Sequence, residues 1–203
     1  VWGMGKNLCT DVERISIMAL AACFILLVPS ALAQVSVIAI AAIIGLLWFQ
    51  PEKVIAHDPL PMTVRRRTGL VWLFLFFSLL IGLPLLTALY PSQTLSMVDT
   101  FFRAGLLVFG GGHVVLPLLQ AEIVPAGWIS NDTFLAGYGA TQAVPGPLFT
   151  FSAFLGSSMN QAPNGWLGGM VCLLAIFAPS FLLVMGALPF WESLRQNLRT
   201  RAA

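Results

Sequence analysis

Apolar positions in this chain come in long runs separated by short polar or Gly/Pro-containing interruptions. Ile15 to Phe49 is one such run, too long for a single membrane crossing and long enough for two short or tilted ones. A spanning helix needs roughly 20 mostly apolar residues at 1.5 Å of rise each. Pro29-Ser30 marks the expected break, because proline cannot donate to the helix ladder. Gly69 to Tyr90 is the cleanest predicted span, with Trp72 and Tyr90 near its two ends as interfacial anchors. Trp166 to Gly186 is the next, carrying Pro179 and Gly186 within it. Between these two the pattern changes. Ala104 to Leu119 is interrupted by Gly110-Gly111-Gly112 and Pro117, and Phe134 to Met159 by Pro145-Gly146-Pro147.

Two readings of those interruptions stand. Glycine triplets and a Pro-Gly-Pro suit unwound or re-entrant segments, and pairs of broken hydrophobic segments point to a carrier's binding site. Alternatively the glycines serve only close helix packing, as small residues do in membranes. The Pro-Gly-Pro favours the first. The expected fold class is therefore an all-α polytopic membrane protein with Gly/Pro-broken or re-entrant segments.

Composition strengthens this. Of 203 residues, 58% are apolar and only 9% are Asp, Glu, Lys or Arg, against about 25% charged in a soluble domain; mean hydropathy is +0.90. Between Arg103 and Arg195 the only full charges are Glu122, Asp132 and Glu192. The net charge of +2 is scattered, with no basic stripe for nucleic acid. Cys9, Cys23 and Cys172 are too far apart for a CxxC pair or a metal knuckle, so inert packing is expected of each and no metal or cofactor. Lys6, Arg14 and Ala31-Leu32-Ala33 imitate a secretory signal, but a second apolar run follows Gln34. Two membrane helices fit better. The start at Val1 and the basic end after Arg195 read as a piece of a longer chain.

Short loops rich in Lys and Arg stay in the cytoplasm. Lys53 and Arg65-Arg66-Arg67 place loop 51–68 there, with anionic-lipid contact as a further role for the triplet. The expected organisation is a cytoplasmic stub 1–14, a hairpin 15–50, the basic loop 51–68 and a membrane domain 69–203, with both termini inside. An even number of crossings, two or none, then lies between 91 and 165.

Four ordered stretches carry a family resemblance. Phe101-Phe102-Arg103-Ala104-Gly105-Leu106-Leu107-Val108-Phe109-Gly110-Gly111-Gly112-His113 closely resembles the opening of the second half of chromate transporters. Gly127-Trp128-Ile129, Gln142-Ala143-Val144-Pro145-Gly146-Pro147-Leu148-Phe149-Thr150, and Pro179-Ser180-Phe181 with Leu188-Pro189-Phe190-Trp191 match the signatures that follow. The likeness covers 98–203, and 15–50 resembles the hairpin linking the two homologous halves of long members. It implies secondary transport of chromate, or of sulfate or a related oxyanion, across a bacterial inner membrane, most plainly efflux. It also implies a missing homologous half or a second chain as partner. His113 departs from the family, where an aromatic residue is more common. A channel-like anion pore and a non-transporting scaffold subunit are the alternatives. No HExxH, nucleophile elbow or phosphate loop is present, so no catalytic residue is expected.

Arg103 is the one Arg or Lys between 68 and 194. Its guanidinium offers up to five N–H donors to a tetrahedral dianion; the other reading is an interfacial anchor. Gly110, Gly111, Gly112 and Gly146 would present backbone N–H groups at half-helix starts, where the dipole favours anions; Pro145 and Pro147, which have no N–H, belong to the same candidate substrate site as the breaks that expose them. Gln142, Thr141 and Thr150 would add neutral donors or serve helix contacts. His113 and Glu122 are the candidates for proton coupling, unless Glu122 is simply solvated. Ser130 or Asn131 is expected to cap the helix beginning near Asp132.

Overall fold

A computed structural model describes residues 11–28, 31–48, 65–107, 112–143 and 148–196. Every regular element among them is helical: α1 Val12–Leu27, α2 Ala31–Trp48, α3 Arg66–Leu89, α4 Gln93–Leu106, α5 Gly112–Ile123, α6 Asn131–Gln142, a 3-10 turn Leu148–Thr150, α7 Phe151–Ser157 and α8 Gly165–Gln196. The chain divides into two compact parts, Val1–Pro59 with Ser193–Ala203, and Leu60–Glu192.

In the first part the long apolar run is divided as expected, with α1 ending before Pro29 and α2 beginning after Ser30. Ile17, Leu20, Ala21 and Phe24 of α1 line an apolar cleft with Val37, Ile40, Ala41 and Ile44 of α2. Each set has the spacing of one helical stripe. Much of the rest of α1, including Val12, Leu26 and Leu27, is exposed. At 16 residues α1 rises about 24 Å, somewhat less than the roughly 30 Å of a bilayer's hydrocarbon core.

In the second part, Arg66–Leu89 and Gly165–Trp191 are long and apolar enough to cross a membrane. Both exceed their predicted limits. α3 begins at Arg66 rather than Gly69, so Arg66 and Arg67 form its first turn instead of the end of a loop. Lipid favours this, because a continuing helix satisfies the backbone internally. α8 runs on past Gly186 to Gln196, through both Pro179 and Pro189. Trp72 is half-buried with its ring edge-on to Phe181, 5.9 Å between centroids, so it packs between helices.

The core of this part is built around the shorter helices. Met97, Phe101 and Ala104 of α4 meet Val115, Leu119 and Ile123 of α5, Phe134 of α6, Phe151 and Leu155 of α7, and Cys172, Ala175 and Ile176 of α8. A second cluster joins Phe76 and Leu83 of α3 to Phe102 of α4 and Leu182 of α8. Among the described residues, several contacts are backbone against backbone. A Cβ at Gly105 would overlap the Ile176 carbonyl, and Gly156 and Gly168 each leave space for the other's carbonyl. Glycines thus do serve close helix packing here, though at positions outside the triplet.

The connections at one end are tied together. Asn160 donates its backbone N–H to the Trp128 carbonyl at 2.9 Å and its side-chain amide to the Gly127 carbonyl at 3.0 Å. The turn after α5 and the turn after α7 are thereby joined. The family-like Gly127-Trp128 pair takes its place in the fold through these two carbonyls, and Gly127 adopts a positive φ of 71°.

Candidate functional site

Buried aromatics hold α4 in place. With Met97, Phe101 and Phe102 directed into the two clusters, Asp99 and Arg103 fall one turn apart on the same helix. They form an ion pair, Arg103 Nη2 to Asp99 Oδ2 at 2.6 Å. The pair is lopsided: the Asp99 side chain is 6% exposed and that of Arg103 45%. The other carboxylate oxygen, Oδ1, is buried and has no hydrogen-bond partner among the described residues. Arg103 is therefore neither a lone cation nor an unattached anchor. It neutralises a buried carboxylate while nearly half of its own side chain remains exposed.

Glu122 lies near the end of α5 and is exposed; its charge acts repulsively on Asp99. His113 opens α5 one residue after Gly112, and its side chain lies outside the described residues. Pro117 is accommodated within α5. Gln120 donates to Asn131 Oδ1 at 2.8 Å and so links α5 to the start of α6. Ser130 caps α6, its hydroxyl accepting from the Thr133 N–H at 3.1 Å, as the sequence suggested. Gln142 is the exposed last residue of α6. Thr141 donates to the Tyr138 carbonyl one turn back.

α4 ends at Leu106 and α5 starts at Gly112; α6 ends at Gln142 and the 3-10 turn starts at Leu148. Gly110, Gly111, Pro145, Gly146 and Pro147 lie outside the described residues. Their downstream flanks do meet. Val115, Leu116 and Leu119 line a small apolar void together with Phe149, Phe151, Ser152 and Ile176. A larger cleft of about 440 Å³, between α7 and the start of α8, is lined by Ala153, Phe154, Trp166, Met170 and neighbours and includes none of the candidate residues. Among the described residues no group of three or more His, Cys, Asp or Glu is placed to hold a metal.

The residue that sequence reasoning passed over is Asp99. Attention to the charge-poor stretch after Arg103 left out the acid four positions before it. The signal was present, since Asp and Arg at i, i+4 are neighbours on any helix.

A sequence profile of the family described as chromate transporter matches residues 95–203, from the first turn of α4 onward. The chain belongs to the chromate transporter family. A probable chromate transport protein of Synechococcus elongatus is 32% identical over 124 residues, covering 58% of this chain and 30% of that protein. The uncharacterized transporter YwrA of Bacillus subtilis is 36% identical over 99 residues, 48% of this chain and 53% of its own length. The chromate transport protein of Pseudomonas aeruginosa is 29% identical over 100 residues, 49% of this chain and 23% of that protein. The chain thus spans between about a quarter and about half the length of these relatives. No solved structure matches it. Family membership agrees with an all-helical protein carrying apolar helices of membrane-spanning length.

Proposed function

We propose that this chain is part of a secondary carrier that moves chromate, sulfate or a related dianionic oxyanion across a bacterial inner membrane, in the direction of export. The observation that carries the reading is membership of the chromate transporter family over the same residues that contain Arg103, the one Arg or Lys between 68 and 194. A dianion leaving water needs positive charge close by. Half-helix ends supply backbone donors but only about half an elementary charge each, so a full cation beside them is the natural complement. In this reading Arg103 meets the anion together with the backbone N–H groups of Gly110–Gly112 and Gly146, freed by the breaks at Pro145 and Pro147, and Gln142 adds a neutral donor. The convergence of the segments downstream of both motifs on one void supports their nearness.

The polytopic arrangement belongs to the same proposal. Residues 15–50 form a hairpin, a cytoplasmic loop follows up to Arg65, and the membrane domain begins with α3 at Arg66, with both termini inside and anionic lipid beside Arg65–Arg67. The homologous half, or a second chain, completes the path; the short coverage of the relatives supports this.

The test is transport in vesicles by the full-length parent, normalised to membrane protein level. Arg103→Gln should reduce the initial rate at least tenfold. Arg103→Lys, which keeps the charge but loses the planar donor fork, should raise the apparent KM severalfold and retain transport. Flux that saturates and follows a gradient separates a carrier from a pore or scaffold. A Gln variant retaining more than about half the parent rate overturns the assignment of Arg103, since an anchoring arginine predicts that result.

A further inference from the structure

An i, i+4 acid–base pair on a helix is ordinarily a surface feature worth a few tenths of a kcal/mol. In the Asp99–Arg103 pair the acid is buried, the base is half-open, and one carboxylate oxygen is left without a partner among the described residues. A buried carboxylate oxygen without a donor is a costly arrangement while the group is charged. A proton on Oδ1 would turn that oxygen into a neutral hydroxyl. It would leave the Arg103–Oδ2 contact in place geometrically and remove the charge that holds it.

We propose that Asp99 is the proton-binding group of this carrier and that it exchanges Arg103 with the oxyanion. With Asp99 ionised, the guanidinium is neutralised within the protein and its attraction for a dianion is low. When Asp99 takes a proton from solution, Arg103 carries an unbalanced positive charge on its open face, and the anion becomes its counter-ion. Proton and anion are then bound by the same state, so binding of one favours binding of the other. This rests on the reading of Arg103 as the cation of the anion site, and goes beyond it by assigning the coupling group.

The surroundings leave few competitors. On α5, Glu122 acts on Asp99 as a like charge, and His113 lies nine residues before the exposed Glu122. On α3 the only full charges are Arg66 and Arg67 in the first turn. α6 offers Asp132 in its first turn and Tyr138. α8 through Trp191 has the thiol of Cys172 and no charged residue. Glu122 and His113 are therefore the two alternatives that an experiment must separate from Asp99.

The decisive measurement is equilibrium binding of radiolabelled sulfate to the full-length protein in proteoliposomes, from about pH 5 to pH 8, the interval in which histidine also titrates. Sulfate stays a dianion where chromate itself takes up a proton. The parent should bind more tightly as pH falls, by at most about tenfold per pH unit, the limit for one linked proton. Asp99→Asn should bind at the parent's low-pH affinity throughout and lose the pH dependence. Asp99→Glu should restore the dependence with a displaced midpoint. An unchanged pH slope in Asp99→Asn overturns the proposal and moves the proton to Glu122 or His113. If Asp99→Asn fails to reach the membrane, an unmoved midpoint in Asp99→Glu overturns it equally. Failure of the underlying reading looks different: Arg103→Gln would then bind sulfate as the parent does, whatever the Asp99 variants show.

Discussion

α3 and α4 are consecutive in the chain and opposite in character. α3 is 24 residues of nearly uninterrupted apolar sequence, yet its buried residues are Gly69, Phe76 and Leu83, one seam at seven-residue intervals. Leu70, Val71, Phe74, Phe77, Ile81, Leu85 and Leu89 all face outward. α4 is 14 residues and contains an acid and an arginine, and it is buried at Met97, Asp99, Thr100, Phe101, Phe102, Ala104 and Gly105. In water the more apolar helix would be the inner one. Here the order is reversed, as it should be where lipid is the solvent: outward apolar surface costs nothing, and polar groups must be enclosed by protein. Hydropathy therefore identifies the periphery of this molecule, and its centre must be found by other signs.

That contrast can be broken by substitution. Gly105→Val should have the largest effect, because a side chain there meets the Ile176 carbonyl, a backbone group that cannot step aside. We expect little or no folded protein in the membrane, read as detergent-extractable monodisperse material. Phe101→Ala removes a fully buried ring from the main cluster and should cost about 3–5 kcal/mol, measured by denaturant unfolding in mixed micelles. Phe74→Ala on the outer face of α3 should shift the same unfolding curve by no more than about 0.5 kcal/mol. Comparable losses at Phe74 and Phe101 would mean that the outer face of α3 is covered by protein, and the contrast between the two helices would fail.

How much of this was legible beforehand follows the same division. The two long helices, the division of the first apolar run at Pro29-Ser30 and the Ser130 cap all follow from local rules, namely apolar length, proline and a hydroxyl before a helix. The family was legible from ordered motifs. The helix limits at Arg66 and Gln196 were not, since basic residues and proline read as loop or break when the lipid-side continuation of the ladder is not considered. The Asp99–Arg103 spacing was readable, but its asymmetry was not. Which member of an i, i+4 pair turns inward depends on Phe101 and Phe102 docking onto helices far away in sequence. The close-packing glycines, Gly105, Gly156 and Gly168, were hidden for the same reason, being defined by Ile176 and by each other.

The double hydrogen bond from Asn160 to the carbonyls of Gly127 and Trp128 has a mechanical consequence. It acts as a rivet through the turns at the far ends of α5 and α7. Two rods riveted at one end can part only at the other, and the opening grows with distance from the rivet. α5 is 12 residues, about 18 Å of lever. Its remote end carries Gly112 and His113, and the remote end of α7 is preceded by the Pro145-Gly146-Pro147 motif. Any rocking of α5 against α7 is thus smallest at Trp128 and largest where the two Gly/Pro motifs enter the fold.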